Sequence, residues 1–592
     1  KQKKKKKKMN KDTQGFTNEE YEQLQKIENK PRRDLTEDEK QRFEELKEKR
    51  KQANTAISIL RAISIRIPLL IYGADIKDNE DITVDNLTEI VDDESWIEFM
   101  PKGVTKEKFK DFAQYYEQDI FVEAGRKIRR TAKYADTLSP TERGKEIANI
   151  FSSFRNPDKE TVLTPWKTVN MHLGDTIGGY NFFDKRNENG EYTIVSIEEP
   201  RYITYGEVTQ TILNNSQAKI LEINSKSGLY PLYITYSLYR QKCLDTDSKK
   251  LTDELEQALW NEVIRDNIFV LCKTPMAKTI TERTLRGYTD VKTNTKYDPN
   301  LLENIENNVE EYSKKINDSK YWKKEGDKMN FEAIVGNPPY QVSDGGAFAS
   351  AKPLYNLFVK FGIKMNPHYI SLIMPSRWMT GGKGLDEFRA EMISDKRLET
   401  LHDYFDAREC FSNVEIKGGI CYFLWDRNND GPCKIYTHFD KSNIEKSNRY
   451  LRDSEEDDIF IRDNNQINVK NKINNFDFIS NVSSRKPYGL CGDVFQDTEK
   501  YGLPNFYDVK ENCKYSIVGL NDKNQRIIKY APYGYPFPKK DMLDKYKLFV
   551  TRNYGNGTLG EIPSNIIVAE PNMACTETFI QIGPFDNKII AE

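Results

Sequence analysis

Residues 331–340 read Phe-Glu-Ala-Ile-Val-Gly-Asn-Pro-Pro-Tyr, an apolar run of buried-strand length that stops abruptly at Asn337-Pro338-Pro339-Tyr340. Two prolines lack N–H donors and fix φ, so the chain must leave a sheet stiffly at this point. A side-chain amide, backbone carbonyls and an aromatic ring emerge together. That set suits a planar ring carrying an exocyclic amine. Such an amine is a poor nucleophile because its lone pair is delocalised. Accepting both amino hydrogens lets the nitrogen pyramidalise toward an electrophile. The Asn337 side-chain oxygen and the Pro338 carbonyl supply two acceptors, Pro339 stiffens the elbow, and Tyr340 offers a stacking face. Asn-Pro alone is an ordinary turn signal. The strand before it and the aromatic after it favour a site. A base paired inside a duplex would have to be flipped out first, at a cost of a few kcal/mol.

A second constellation lies upstream. Ala218–Ile223 reads as a strand, Asn224-Ser225-Lys226-Ser227-Gly228 as a small-residue turn, and Pro231 sits in the first turn of the helix that follows. Strand, turn and helix form the nucleotide-type crevice of open α/β sheets. Glu222 at the strand end offers a carboxylate to ribose hydroxyls or to an ammonium group. With Gly228 as the sole glycine, the segment also reads as a plain strand–helix turn.

The elements that must position these residues alternate strand and amphipathic helix from about 161 to 428, the signature of an α/β sheet. Ala218–Ile223, Ile268–Leu271, Phe331–Gly336, Tyr369–Met374 and Ile420–Trp425 are the clearest strands. Residues 51–160 have helical patterning. Ser139-Pro140-Thr141-Glu142 combines an N-cap, a proline at the first helical position and a capping-box glutamate, with Ile147, Ile150, Phe151 and Phe154 as an apolar stripe. Residues 1–50 form a charged linker and exposed helix, with Thr36 and Glu39 opening the helix at Glu37–Arg50. Ala56–Tyr72 reads as a buried helix and strand, too interrupted by Arg61, Arg66 and Pro68 for a membrane span. Beyond 429 the composition turns to Asn, Asp, Lys and Tyr with Gly and Pro turns, a separate loop-rich domain.

At 592 residues the chain is too long for one core and predicts roughly three or four domains. A net charge of −2 excludes a globally basic surface, so any nucleic-acid contact must be local. Candidate basic clusters are Lys1–Lys8, Lys47–Lys51 and Arg126–Arg130; the lysine run also reads as a solvated or disordered linker, and Arg126–Arg130 as a solvated helix face. Eight cysteines without a C-x-x-C pair and four scattered histidines give no metal-ligand spacing and read as reduced thiols of a cytoplasmic protein. Gly381-Gly382-Lys383-Gly384 lacks the P-loop frame. The chain opens on lysine and stops at Ala591-Glu592 where a helix is starting, which reads as a piece of a longer polypeptide.

Together these segments resemble adenine-specific DNA amino-methyltransferases. More closely, they resemble the methylase part of single-polypeptide restriction–modification enzymes (Type IIG and the Type I single-polypeptide group). The resemblance spans roughly 161–428. Thr164-Pro165 matches the family's Thr-Pro before its first helix, implying a wall of the S-adenosylmethionine pocket. Glu222 to Gly228 match the methyl-donor loop, usually Asp-Pro-x-Cys-Gly-Ser-Gly, which implies Glu222, Asn224, Ser227 and Gly228 around the donor. Asn337–Tyr340 match the catalytic signature residue for residue. Phe411 falls where the family places an aromatic on the other face of the flipped base. The implied architecture is a Rossmann-like methyltransferase core at 161–428, an N-terminal helical coupler at 51–160 and a C-terminal α+β target-recognition domain at 429–592. The implied activity is site-specific adenine N6 methylation of double-stranded DNA, with no metal, no membrane, and nuclease or helicase domains of the same polypeptide as partners. Within 429–592, Ser484–Gly489 reads as a groove-contacting loop or a turn between strands.

Two departures from the family pattern bear on the donor. Lys226 replaces a loop glycine, and Cys272 stands where an acidic residue is expected after the next strand. The donor's ribose then lacks a partner unless Glu222 or another residue substitutes. Two further readings follow from the residues. Asp406 with Glu415-Ile416-Lys417 imitates a Mg²⁺-dependent nuclease motif. Lys226 and Cys272 fit a non-catalytic DNA-binding module that keeps the fold.

Overall fold

A computed structural model describes residue 27 and residues 36–154, 163–188, 191–341, 352–412, 414, 416–452, 460–467, 482–483, 485–522, 525–552 and 566–591. The chain divides into two compact units, Lys1–Arg462 and Asp463–Glu592.

The first unit opens with helices α1 (Glu37–Gly73), α2 (Gln118–Ala135) and α3 (Pro140–Ser153). Helix α1 corrects the expected helix-then-strand: it is one 37-residue helix with Pro68 inside it. Its apolar residues recur at helical spacing and bury Ile63, Ile67, Leu70 and Ile71 in the core that also holds residues of α2 and α3. That packing outweighs the one helical hydrogen bond Pro68 removes. By length and composition its Ala56–Gly73 stretch could cross a membrane, and 44% of it is buried within the unit. In α3, Ser139 Oγ accepts from the Glu142 N–H at 3.4 Å, the cap expected from the sequence. The basic segment of α2 is engaged locally. Arg126 pairs with both Asp81 oxygens (2.8 and 2.6 Å), and buried Arg129 donates to the Glu80 and Lys77 carbonyls.

Helix α4 (Trp166–Thr176) leads into a hairpin of β1 (Gly179–Glu188) and β2 (Glu191–Ile203). The central sheet follows: β3 (Ile220–Ile223), α5 (Leu229–Asp245), β4 (Ile268–Cys272), α6 (Pro275–Arg286), β5 (Asn294–Tyr297), β6 (Ala333–Gly336), α7 (Tyr355–Met365) and β7 (Tyr369–Pro375). Then come β8 (Leu398–Tyr404), β9 (Ile420–Asp426), β10 (Cys433–His438) and β11 (Ile444–Arg449). The nine strands run in the order β11-β10-β8-β9-β7-β6-β3-β4-β5. From β7 to β5 all neighbours are parallel, and β9 lies antiparallel between β7 and β8. Every residue of β3, β4, β6 and β7 is buried, as expected of parallel strands covered on both faces.

The chain goes one way from β3 to β4 and β5 and returns on the other side through β6 and β7, so order reverses between β3 and β6. Ligands of open α/β sheets bind outside the strand carboxyl ends at such a switch point. The domain junction expected at 428/429 falls between β9 and β10 of this one sheet. The first unit continues to Arg462, whose Nε and Nη2 grip the buried Asp403 carboxylate of β8 at 2.6 and 2.7 Å.

The second unit has two three-stranded sheets. One is β13-β12-β16, with β12 (Cys513–Leu520), β13 (Arg526–Pro532) and β16 (Met573–Cys575). The other is β15-β14-β17, with β14 (Tyr546–Thr551), β15 (Ile567–Ala569) and β17 (Phe579–Phe585). In the expected groove-contacting loop, Arg485 and Lys486 approach Glu577 at 3.5 and 3.7 Å and Tyr488 is core, while Ser484 lies outside the described residues.

Candidate active site

Strands β3 and β6 are in register, with Ile220 beside Ala333 and Glu222 beside Val335. Their carboxyl ends therefore bring the Asn224–Gly228 turn and the Asn337–Tyr340 corner together at the switch point. Gly336 makes this approach possible. Its φ is +145°, and a Cβ there would meet Glu222 Cγ at 3.3 Å.

At the corner, Asn337 Nδ2 donates to Thr164 Oγ1 at 3.0 Å. This fixes the amide orientation and leaves Asn337 Oδ1 buried without a hydrogen-bond partner among the described residues. No donor among them reaches the Pro338 carbonyl. The Tyr340 ring is buried, and its carbonyl accepts from the Leu354 N–H at 3.1 Å, which ties the corner to the start of α7. Phe411 is fully buried and meets Tyr340 edge to face, with ring centroids 6.4 Å apart and planes at 85°. The sequence expectation of two rings sandwiching a base is thus met in proximity and not in orientation. A base could be stacked only after one ring turns. Helix α4 sets the Phe411 segment by a hydrogen bond from Thr168 Oγ1 to the Cys410 carbonyl.

On the side of the Asn224–Gly228 turn, Glu222 is almost wholly buried, with Oε2 unpartnered among the described residues. Burial pushes its carboxyl up to about 8, against a smaller downward pull from Ser225. Asn224 takes φ +66°, and its Oδ1 is likewise buried without a partner. The turn is held from below by helix α6. Thr281 Oγ1 bonds Ser225 Oγ at 3.0 Å, Thr284 Oγ1 donates to the Ser227 carbonyl at 2.7 Å, and Ser225 Oγ accepts from the Gly228 N–H at 3.2 Å. Gly228 has φ +75°, and a Cβ would come within 3.1 Å of Thr281 Cα. Both the left-handed backbone and the close helix demand glycine here.

Thr164 and Pro165 stand between the two motifs and a cavity of about 420 Å³. That cavity is also lined by Asn149 and Phe151 of α3, by Phe182 of β1 and by Leu229 and Ser412, which follow Gly228 and Phe411 in the chain. Asn337, Tyr340 and Glu222 are not among its walls. Behind Thr164, the Tyr230 hydroxyl meets His172 Nδ1 at 2.8 Å, and His172 Nε2 meets Ser371 Oγ of β7 at 2.8 Å. Burial pushes His172 down to about 3, so the ring is a neutral hydrogen-bond bridge from α4 to the sheet.

Cys272 ends β4 with its thiol buried against Thr281 Oγ1 at 3.8 Å. Burial above all, then the negative fields of Glu222 and Glu98, hold that thiol well above the usual range. It is a packed, neutral group. In the nuclease-like motif, Asp406 is closed by a bidentate bond with Arg408 (2.9 and 2.8 Å) and Glu415 lies outside the described residues, as does Asn413.

Sequence reasoning thus located the two motifs and missed what supports them. Thr281 and Thr284, three apart in the Pro275 helix, carried a visible signal as polar residues on a face that must pack on the sheet. Glu98 carried none, because the short helix Asp93–Phe99 reaches the sheet edge only through the tertiary fold.

Residues 266–411 match the family model described as Eco57I restriction-modification methylase, a span that contains Cys272, Asn337–Tyr340 and Phe411. An adenine-specific methylase of Mycoplasma pneumoniae, itself uncharacterised, is 36% identical over 138 residues, covering 22% of this chain and 33% of that protein. The chain thus spans a third of the length of the curated relative it matches. Solved structures similar to it include the DrdV–DNA complex (11% identity, 82% of this chain and 55% of that one, TM-score 0.40). The type IIG restriction endonuclease BpuSI is another (12% identity, 97% and 68%, TM-score 0.36). Residues 266–411, the part that matches the methylase model, lie within a Rossmann-like α/β sheet.

Proposed function

We propose that this chain is the modification part of a restriction–modification enzyme, an adenine N6 methyltransferase acting on double-stranded DNA with S-adenosylmethionine. One observation carries the reading. A buried, unpartnered amide oxygen at Asn337, oriented by Thr164, stands at the switch point beside unpartnered Glu222 Oε2 and Asn224 Oδ1. Three such acceptors gathered at the ends of two neighbouring strands form a place where a ligand's donors can be received. The family match over the Asn-Pro-Pro-Tyr segment and the adenine-specific methylase relative support the same reading.

S-adenosylmethionine, when bound, supplies an electrophilic methyl group on a positively charged sulfur. The acceptors at Glu222 and Asn224 fit its ammonium and ribose donors, with Thr164 and Pro165 as a wall. Asn337 Oδ1 and the Pro338 carbonyl take the two amine hydrogens of a flipped adenine. They hold the nitrogen pyramidal, with its lone pair out of conjugation with the ring; as the N–C bond forms the methyl–sulfur bond would break, and the extra proton on the amine, hydrogen-bonded to one of these acceptors, would pass to water. Tyr340, and Phe411 after reorientation, pack the ring faces. Nuclease or helicase domains of a longer polypeptide are the partners this role implies.

The test is transfer of a radiolabelled methyl group to mixed genomic DNA, followed by identification of the modified base. N6-methyladenine is the expected product. Label on another base overturns the adenine assignment, and no incorporation overturns the enzymatic one in favour of a DNA-binding relic, the reading that Cys272 would support.

A further inference from the structure

The carboxyl end of β4, next to the switch strand, is where an acidic side chain of dinucleotide-type folds takes ribose hydroxyls. Here that position is Cys272, whose thiol is turned into packing against Thr281. The short helix Asp93–Phe99, 170 or more residues upstream, lies over this edge. Glu98 Oε2 accepts from Thr274 Oγ1 at 2.6 Å, two residues beyond Cys272. Ser95 Oγ accepts from the Met276 N–H at 3.0 Å, and Glu94 accepts from the hydroxyl of Tyr297, the residue paired with Cys272 on β5. Three contacts over two helical turns thus clamp this helix across the ends of β4 and β5.

We infer that Glu98 supplies the ribose-binding carboxylate missing at Cys272, so that the N-terminal helical region completes the donor site. Thr274 is fully buried and caps helix α6 through the Ala277 N–H (3.3 Å), so it fixes the carboxylate it donates to. Across the crevice, Glu222 Oε2 and Asn224 Oδ1 are buried acceptors without partners, an independent sign that a ligand rich in donors is received there. Glu98 and Glu222 are both near enough to the β4 end to contribute to the negative field at Cys272.

This inference rests on the function proposed above, and the experiment separates the two. Calorimetry on the chain described here measures binding of S-adenosylhomocysteine and of its 2′,3′-dideoxy analogue to wild type, Glu98→Ala and Glu98→Gln. A hydrogen bond to a charged group corresponds to about 10- to 100-fold in affinity. Wild type should prefer the hydroxylated ligand by that factor. Glu98→Ala should lose the preference by binding S-adenosylhomocysteine more weakly while binding the dideoxy analogue unchanged. Glu98→Gln keeps an acceptor for Thr274 and carries the test if the alanine variant does not fold. Variants that retain the wild-type preference, or that weaken both ligands equally, overturn the role of Glu98 alone. A wild-type chain that binds neither ligand overturns the proposed function and this inference with it.

Discussion

Asn337 gives its amide N–H to Thr164 Oγ1 at 3.0 Å and so keeps its oxygen for something else. The same threonine stands in the wall beside the donor loop. One hydrogen bond therefore ties the proposed acceptor for the substrate amine to the proposed wall of the donor site. Replacing Thr164 with valine should remove this orientation while keeping the shape of the wall. One neutral hydrogen bond contributes about 0.5–1.5 kcal/mol. Methyl transfer is therefore expected to fall roughly 2- to 10-fold in kcat, with KM for DNA little changed. Steady-state kinetics check this, and an unchanged kcat removes Thr164 from its positioning role.

Glu222 is held at about 8 by burial, facing the Cys272 thiol on β4 and the Tyr230 phenol on α5, both pushed well above their usual ranges. Near neutral pH the carboxyl is therefore mostly protonated in the ligand-free chain. Binding a cationic donor favours the charged form, so a proton should be released on binding and affinity should rise from pH 6 to about 8. The stability consequence has the opposite sign. A carboxyl raised from roughly 4.3 in the unfolded chain contributes stability fully below that value, and loses it as pH rises through 8. Calorimetry in buffers of different ionisation enthalpy measures the proton count. The release should vanish in Glu222→Gln, and equal counts in the two proteins contradict the assignment.

The glycine at 228 serves backbone and packing at once, with φ +75° and helix α6 within 3.1 Å of any added Cβ. Gly228→Ala should cost roughly 1–3 kcal/mol of stability, and donor affinity should fall further because the Asn224–Gly228 turn must move away from Thr281. Thermal unfolding with and without S-adenosylmethionine measures both. A variant with wild-type Tm and donor affinity would show that the turn is looser than its contacts indicate.

Tyr340 and Phe411 touch edge to face at 85°, so base capture requires a ring to rotate. Stacking on an aromatic is worth roughly 1–3 kcal/mol per base. Tyr340→Ala should therefore weaken binding of a 2-aminopurine-substituted target and lower its fluorescence rise on flipping, whereas Tyr340→Phe should keep both. The same loss in the phenylalanine variant would point to the hydroxyl and not the ring face.

The central parallel strands were readable in the sequence because each is a short apolar run ended by a turn signal, as at Ile268–Cys272 and Ala333–Gly336. The cap at Ser139 was readable because capping is local chemistry. Strand β5, Asn-Thr-Lys-Tyr, was not, because an edge strand need not be apolar. Strand β8 was hidden by His402 and Asp403, polar residues buried only because His438 and Arg462 meet them. The break in Ala56–Tyr72 was misread because Pro68 signals interruption locally, while packing on α2 and α6 sustains one helix. At the site, the groups that present chemistry were legible. The groups that hold the Asn224–Gly228 turn, Thr281 and Thr284, arrive from a helix more than 50 residues on, and Glu98 reaches the β4 end from still farther away in sequence.

In the proposed reaction the Asn337 side-chain oxygen accepts a hydrogen from the amine that is methylated. Single-turnover methyl transfer by Asn337→Ala, measured beside its affinity for S-adenosylmethionine, addresses this most directly. Transfer should be lost by a factor of about 10² or more, with donor affinity within a few-fold of wild type. Transfer retained within a few-fold, or lost only because the donor no longer binds, would contradict it.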